Sequence, residues 1–235
     1  MHNTDPAELE KFEQLAASWW DPAGDSQPLH LLNPLRFGYI EHHATLSGRS
    51  ILDVGCGGGL LSELMAKAGG RVLGIDAGHA QVSVATLHAR DAGVTLEYEQ
   101  ATAEQLRDRA NEAFDLVTCM ELLEHVPDPL SVVTACAELL RPGGKAIFST
   151  INRSLGAWLK TIVAAEHLLG LLPKGTHRYE NFIRPAELAA WGRAANLRVV
   201  DITGVDYRPI TQTFYLVPEP RANYMMCLAR PMAND

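Results

Sequence analysis

The chain has the composition of an acidic globular protein. It contains 235 residues, of which 47% are hydrophobic, and 20 Lys and Arg against 28 Asp and Glu give a formal net charge of −8. This apolar content suffices for a hydrophobic core and excludes global disorder. The acidic balance argues against a nucleic-acid partner, because neutralising phosphates requires an excess of cations.

The distribution of apolar residues favours a soluble protein in the cytoplasm. The longest apolar stretch, 158–172, is interrupted by Lys160, Glu166 and His167, so it is too short and too charged to span a bilayer. The polar N-terminus lacks the apolar core of a secretory signal. The four cysteines form no Cys-x-x-Cys pair, which argues against a zinc knuckle or a thioredoxin-like site.

The predicted elements divide the chain into two parts. Residues 1–47 form a helical extension with helices over 6–17 and 35–44, and residues 48–235 form the main domain. Strands are predicted over 50–54, 71–75, 95–99, 114–119, 145–150, 197–204 and 223–230, and helices over 60–68, 80–92, 129–140 and 185–195. This alternation predicts an α/β, Rossmann-like fold with a seven-stranded, mostly parallel sheet and helices on both faces.

A glycine-rich run connects the first predicted strand to a helix. Its sequence over 52–60 is LDVGCGGGL, in which Gly55 and Gly57 let the backbone turn tightly and approach a ligand at a helix N-terminus. Asp76 ends the second strand, 21 residues after Gly55, where an acid in such folds binds ribose hydroxyls. The alternative is a purely structural turn, but the ordered set favours a site for the adenosine half of a cofactor.

The residues around this run discriminate between cofactors. A dinucleotide fingerprint, G-x-G-x-x-G, requires glycine at position 60, where this chain has Leu60. Asp53 precedes the run, and its carboxylate would repel a pyrophosphate but suits a cationic ligand. S-adenosylmethionine has a sulfonium, an ammonium and no phosphate, so these residues favour it over NAD.

An acidic-histidine cluster follows the strand over 114–119. A helical turn here would place Glu121, Glu124 and His125 on one face, at the sheet edge where ligands bind. Two carboxylates and an imidazole suit a divalent ion such as Mg²⁺ or Zn²⁺. Such an ion could activate a phenol, whose pKa is about 10. Two alternatives are that His125 acts as a general base, or that the turn is solvated and the acids complement a helix dipole.

Together these motifs resemble the class I S-adenosylmethionine-dependent methyltransferases over 48–230, and most closely the bacterial ubiquinone-biosynthesis O-methyltransferases. The matching runs are KF at 11–12, WWD at 19–21, PLH at 28–30, NPLR at 33–36, LDVGCGGG at 52–59, TCME at 118–121, LEHVPDP at 123–129, PKGTH at 173–177 and PIT at 209–211. The glycine run is shared by many methyltransferases, whereas the WWD, NPLR and PKGTH runs are far more restrictive.

The resemblance implies a reaction and a set of site residues. It implies methyl transfer from S-adenosylmethionine to a catechol-type hydroxyl of polyprenylated phenols and demethylubiquinol. Arg36 is expected at the methionine end of the cofactor, Gly55 against it, Asp76 at the ribose and Met120 beside it. Related metal-assisted enzymes share the Glu-x-x-Glu-His arrangement, which favours the metal interpretation of Glu121, Glu124 and His125.

Residues 152–184 interrupt the alternation and are predicted to be an insertion over the active-site face. Their apolar residues are Trp158, Leu159, Ile162, Val163, Leu168, Leu169, Leu171 and Leu172, with Lys174 and Arg178 following. This segment is interpreted as a lid, as a reversible contact with an anionic membrane surface at the inner face of the cell membrane, or as both. Other ubiquinone-biosynthesis proteins are further expected partners.

Three other functions remain open from the sequence. They are C-methylation of a benzoquinol, which needs no chelating cluster, 2′-O-methylation of RNA, and a non-catalytic cofactor-binding role in a biosynthetic complex. The net charge of −8 argues against the RNA substrate.

Overall fold

An eight-stranded sheet forms the centre of the protein, in a computed structural model that describes residues 3–110, 112–154 and 179–232. Its strands are β1 (Ser50–Val54), β2 (Arg71–Asp76), β3 (Glu97–Gln100), β4 (Phe114–Met120), β5 (Leu140–Ile151), β6 (Arg198–Arg208), β7 (Thr213–Val217) and β8 (Asn223–Ala229). The α-helices of the described ranges are α1 (Pro6–Leu15), α2 (Gln27–His43), α3 (Leu60–Lys67), α4 (His79–Asp91), α5 (Ala103–Arg107), α6 (Pro129–Leu139) and α7 (Pro185–Ala194).

The strand order is β3-β2-β1-β4-β5-β8-β6-β7. The first five strands in this order run parallel, whereas β8 is antiparallel to both β5 and β6, and β7 is antiparallel to β6. The carboxyl ends of β1, β2, β4 and β5 therefore lie at one edge of the sheet. In open α/β folds this edge binds the ligand.

Two apolar layers hold helices against the two faces of the sheet. On one face, residues of α5, α6 and α7, such as Leu139 and Leu188, pack with Phe148 of β5. On the other face, Ile40 of α2 and Met65 of α3 pack against strand residues. Covering both faces explains why the residues of β1 and β4 are buried along almost the whole strand rather than alternating between buried and exposed.

Local sequence explains where α1 and α6 begin. The Asp5 side chain accepts a hydrogen bond from the Ala7 amide at 2.9 Å, and Pro6 occupies the first turn of α1. Asp128 accepts from the Ser131 amide at 3.2 Å and caps α6 in the same way. Each carboxylate satisfies an amide that no carbonyl within the helix can reach.

The structure confirms the predicted fold class and corrects its details. The sheet has eight strands rather than seven, because Thr213–Val217 forms an edge hairpin with β6 that was not predicted. α2 begins at Gln27 rather than at residue 35, and Pro34 lies inside it. The buried side chains Leu32 and Arg36, on either side of Pro34, anchor the helix despite the hydrogen bond that proline cannot donate.

Most of the predicted insertion over 152–184 lies outside the described residues, which include only 152–154 and 179–184 of it. The apolar residues on which the lid and membrane predictions depend lie in the gap. In the parts of the chain that are described, no helix combines the length and the apolar character needed to cross a membrane.

Candidate active site

The glycine-rich run forms a tight loop between β1 and α3. Gly55, Gly57 and Gly59 have φ angles of 69°, 54° and 90°, a left-handed region that favours glycine. At Gly57 a Cβ would also lie 2.2 Å from the ring of Trp19, so no side chain fits there. Glycine is therefore favoured in this loop both by the left-handed backbone and, at Gly57, by the close packing of Trp19.

Asp76, at the end of β2, fixes this loop. One carboxylate oxygen accepts from the Gly57 amide at 3.0 Å, and the other accepts from the Gly78 amide at 2.8 Å. Burial raises the pKa of Asp76, and the two amides oppose that shift. The same carboxylate lines the cavity beside the loop, where its remaining lone pairs can accept from a ligand hydroxyl.

Arg36 and Asp53 place a buried cation next to a buried anion. Asp53 is 2% exposed and accepts from Ser62 at 2.5 Å and from Thr118 at 2.8 Å. Burial raises the pKa of Asp53 to about 6, against the hydroxyl bonds and the charge of Arg36. Arg36 is 6% exposed, and its Nε and Nη2 have no hydrogen-bond partner among the described residues. Buried donors of this kind are normally satisfied, so they indicate a ligand.

Met120 and Glu121 line the cavity at the end of β4. Glu121 has a φ of 51°, which is unusual for a residue with a side chain and interrupts any helical turn at this point. Its carboxylate accepts from Ser149 at 2.8 Å and lies 3.6 Å from Nη2 of Arg36. The conformation therefore directs Glu121 toward Arg36.

The predicted metal ligands do not converge in this structure. Glu121 faces Ser149, His125 faces Glu8, and Glu124 is 3% exposed and accepts from Thr150 at 2.7 Å. Among the described residues, no group of three His, Cys, Asp or Glu side chains is arranged to hold an ion. The single helical face on which a three-ligand site would depend is absent, because only Leu123–His125 forms one turn of 3₁₀-helix. The metal requirement stays a prediction.

His125 instead pairs with a carboxylate from the N-terminal helix. Its Nδ1 lies 2.8 Å from Oε2 of Glu8, and the ring of Phe12 meets the imidazole edge-on at 5.0 Å between centroids. This hydrogen bond lowers the pKa of Glu8 to about 2, although burial opposes the shift. Burial disfavours charge on His125, but Glu8 and the neighbouring Glu124 and Glu121 outweigh it and raise the pKa of the imidazole.

Two further residues of the cavity lack partners and were not predicted from the sequence. Gln81 of α4 is 1% exposed, and neither its Oε1 nor its Nε2 has a partner within the described ranges. Trp19 is 7% exposed, and its Nε1 is likewise unpaired with any described residue. No local pattern marks either residue as polar and buried.

These elements enclose a cavity of about 620 Å³ at the carboxyl edge of the sheet. Eight of the nine predicted site residues line it, namely Arg36, Asp53, Gly55, Gly57, Asp76, Met120, Glu121 and His125. Glu124 is buried and is not among the lining residues. The cavity offers a buried cation at Arg36 and a carboxylate at Asp76, which fits a ligand with a carboxylate and a ribose.

The chain is similar to known methyltransferases over most of its length. A family model described as a methyltransferase domain matches residues 29–202. A ubiquinone biosynthesis O-methyltransferase of Pseudomonas fluorescens Pf-5 is 52% identical over 226 residues, covering 96% of this chain and 97% of that protein. Its counterpart from Ralstonia nicotianae is 50% identical over 231 residues, covering 98% and 97%.

Solved structures show the same fold at lower identity. Magnesium protoporphyrin IX methyltransferase from Synechocystis PCC 6803, with bound S-adenosylhomocysteine, matches with a TM-score of 0.70 and 17% identity, over 94% of each chain. A SAM-dependent methyltransferase from Aquifex aeolicus matches with a TM-score of 0.64 and 16% identity, over 96% of this chain and 98% of that one.

Proposed function

Since the chain belongs to the ubiquinone biosynthesis O-methyltransferases, within the methyltransferase-domain family, we propose that it methylates a catechol-type hydroxyl of polyprenylated ubiquinone precursors. The chain is an S-adenosylmethionine-dependent enzyme, as its sequence predicted. The substrates we propose are 2-polyprenyl-6-hydroxyphenol and 3-demethylubiquinol. The first is a catechol and the second a quinol, and both fit an O-methyltransferase of ubiquinone biosynthesis, as the relatives are named.

The observation that carries this proposal is the buried guanidinium of Arg36, whose Nε and Nη2 have no hydrogen-bond partner among the described residues, in one cavity with Asp76 and the glycine loop. Arg36 would bind the carboxylate of the methionine moiety, and Asp76 would accept from the ribose hydroxyls. Asp53 would favour the positive charge of the ligand. When bound, S-adenosylmethionine supplies a methyl group on a cationic sulfur, and the carbon–sulfur bond breaks with its electron pair on sulfur as the oxygen–carbon bond forms.

In this reaction His125 would take the proton of the hydroxyl. It lines the cavity, and its Nδ1 faces Glu8, so Nε2 is the nitrogen that would accept the proton. A general base raises the fraction of the oxygen that is nucleophilic in the transition state. The apolar lining, which includes Phe12 and Met120, would orient the substrate and exclude water.

The substrate also leads to a proposal about location. A polyprenyl chain partitions into a membrane, so the enzyme must meet its substrate at the bilayer surface. We propose a cytoplasmic enzyme in peripheral contact with the inner face of the cell membrane, with residues 152–184 as the contacting segment. Contacts with other ubiquinone-biosynthesis proteins are part of the same proposal.

The direct test is transfer of labelled methyl from S-adenosylmethionine to a short-prenyl catechol. We expect a methyl ether and S-adenosylhomocysteine. Asp76→Ala should weaken S-adenosylhomocysteine binding in calorimetry by about 10-fold or more, because hydrogen bonds to charged groups contribute about 1.5–3 kcal/mol. Asp91→Asn, at an exposed site on α4, is the matched control and should bind like wild type. Binding of NAD in place of S-adenosylhomocysteine would overturn the assignment.

The product and its metal dependence separate the remaining functions. A carbon–carbon bond to methyl would indicate quinol C-methylation, and a salt-sensitive shift with RNA would indicate a ribose substrate. Wild-type activity that survives exhaustive chelation supports His125 as base. Loss on chelation with rescue by Mg²⁺ would support the metal prediction for Glu121, Glu124 and His125.

A further inference from the structure

The pairing of Glu8 with His125 joins two residues 117 positions apart in the chain. Both side chains are mostly enclosed, with 17% of Glu8 and 9% of His125 exposed. Both also line the cavity of about 620 Å³ that holds the predicted cofactor residues. The N-terminal helix, which lies in the predicted extension over residues 1–47, thus contributes a carboxylate to the site.

Separate contacts hold the start of α1 in this position. The Asn3 side chain donates to the Asp128 carbonyl at 2.7 Å and accepts from the Asp128 amide at 2.8 Å. Asp128 lies three residues after His125 and caps α6. Asn3 also donates to Glu104 at 2.8 Å. The segment before α1 is therefore fixed to the structure that carries His125, independently of Glu8.

The two oxygens of Glu8 have different partners. Oε1 lies 2.5 Å from Nζ of Lys11 on the next turn of α1, and Oε2 lies 2.8 Å from Nδ1 of His125. A carboxylate oxygen accepts hydrogen bonds, so the imidazole is the donor in this pair. A carboxylate at Nδ1 holds the proton there and leaves Nε2 as the basic nitrogen. It also stabilises the imidazolium that forms when Nε2 takes a proton.

We propose that Glu8 is a positioning residue, which orients His125 and fixes its tautomer for methyl transfer. The inference rests on the proposed function, because it requires His125 to accept the proton of the substrate. The catalytic group would thus be completed by a residue of α1.

The test compares four variants in labelled-methyl transfer to a short-prenyl catechol. Glu8→Gln removes the charge, Glu8→Ala removes the whole group, and Glu8→Asp keeps a carboxylate on a shorter side chain. Glu10→Gln changes an exposed acid on the same helix and is the matched control. Calorimetry with S-adenosylhomocysteine on each variant reports whether the cofactor site is intact.

We expect Glu8→Gln and Glu8→Ala to lower kcat by about 10-fold or more, within the range that general-base catalysis contributes. KM and S-adenosylhomocysteine affinity should stay near wild type. Glu8→Asp should retain more activity than Glu8→Gln, and added formate should partly restore Glu8→Ala. A purely structural Glu8 would instead change affinity and KM, and formate would not restore kcat.

The failures of the two proposals are distinguishable. If wild type transfers methyl and the kcat values of Glu8→Gln and Glu8→Ala equal that of Glu10→Gln, only the proposed role of Glu8 is overturned. Loss in Glu8→Ala that appears only in KM or in cofactor affinity overturns it as well. Wild type that transfers no methyl to the catechol overturns the proposed function itself.

Discussion

Arg36 is a buried charge whose Nε and Nη2 have no hydrogen-bond partner among the described residues, so its replacement tests the proposed role in cofactor binding. Replacing it by methionine in Arg36→Met keeps apolar volume and removes the guanidinium. We expect affinity for S-adenosylhomocysteine to fall about 10- to 100-fold, the loss of hydrogen bonds to a charged group. Affinity for 5′-methylthioadenosine, which lacks the methionine carboxylate, should stay nearly unchanged. Calorimetry with both ligands measures the difference.

The second ligand also controls for folding. If Arg36→Met weakens both ligands equally, then Arg36 acts on the structure of the site and not on the carboxylate. Arg71→Met, at an exposed position, should leave both affinities as in wild type.

Glu124 gives a pH dependence that can be checked by unfolding. Burial, together with the charge of Glu121, raises the pKa of Glu124 above its usual 4.5. The folded state then binds this proton more tightly than the unfolded state, so the group costs stability as pH rises above 4.5. We expect Glu124→Gln to remove this cost. The free energy of unfolding of the variant minus that of wild type should therefore be larger at pH 8 than at pH 4, by on the order of 1 kcal/mol.

Urea unfolding of both proteins across this range measures the effect. A difference between wild type and Glu124→Gln that is independent of pH would contradict the raised pKa. Glu97→Gln, at an exposed site on β3, serves as a control that should show no such trend.

At this scale the sequence identified residues that lie in motifs and missed those that act across the fold. Asp53, Gly55 and Asp76 were found because strand, loop and helix follow each other in the chain. Glu8 and Gln81 carry no local signal, since only tertiary packing brings them to the cavity. The side-chain directions of Glu121 and Glu124 could not be derived either, because a left-handed backbone at Glu121 interrupts the assumed helix.

Two glycines on different elements should respond to alanine in opposite ways. Gly57 has a φ of 54° and faces the Trp19 ring, where a Cβ would lie at 2.2 Å. We expect Gly57→Ala to destabilise the fold by about 1–3 kcal/mol and to weaken S-adenosylhomocysteine binding. Gly38 lies within α2 with nothing near the position of a Cβ. Gly38→Ala should stabilise by about 0.5–1 kcal/mol, because glycine costs conformational entropy in a helix.

Denaturant midpoints and calorimetry on the two variants measure these changes. Equal destabilisation by both would show that general packing, and not the loop geometry, decides the outcome. A Gly57→Ala protein of wild-type stability and affinity would contradict the contact between the loop and Trp19.

Most elements with a strong local sequence pattern were predicted, whereas one short helix and one strand that depends on pairing with its neighbour were missed. β1, β2 and α6 lie within a residue or two of the predicted bounds, since apolar runs and caps define them. α5 was not predicted, although the sequence contains the capping box that begins it, Thr102 with Gln105. β7 was missed because its pattern is short and half-exposed, and it exists as a strand only by pairing with β6.

At the scale of the whole molecule, the predicted membrane segment is connected directly to a strand that lines the candidate active-site cavity. The described chain resumes at Tyr179 and passes through Ile183, whose amide donates to the carbonyl of Ile151 at 2.9 Å, at the end of β5. Ile151 itself lines the cavity. Both ends of the insertion are therefore attached beside the cavity, in keeping with the proposal that this segment contacts a membrane where the prenylated substrate lies.

Vesicle flotation tests this arrangement on the full chain. Wild type should float with phosphatidylglycerol-containing vesicles and less with pure phosphatidylcholine, because Lys174 and Arg178 follow the apolar residues of the insertion. The double variant Leu168→Glu with Leu169→Glu should reduce flotation, since it places charge in the apolar stretch of the sequence. Leu87→Glu, on a leucine that is 58% exposed on α4, makes the same type of change elsewhere and should float like wild type. If wild type and both variants all stay with the soluble fraction, the segment does not contact the membrane.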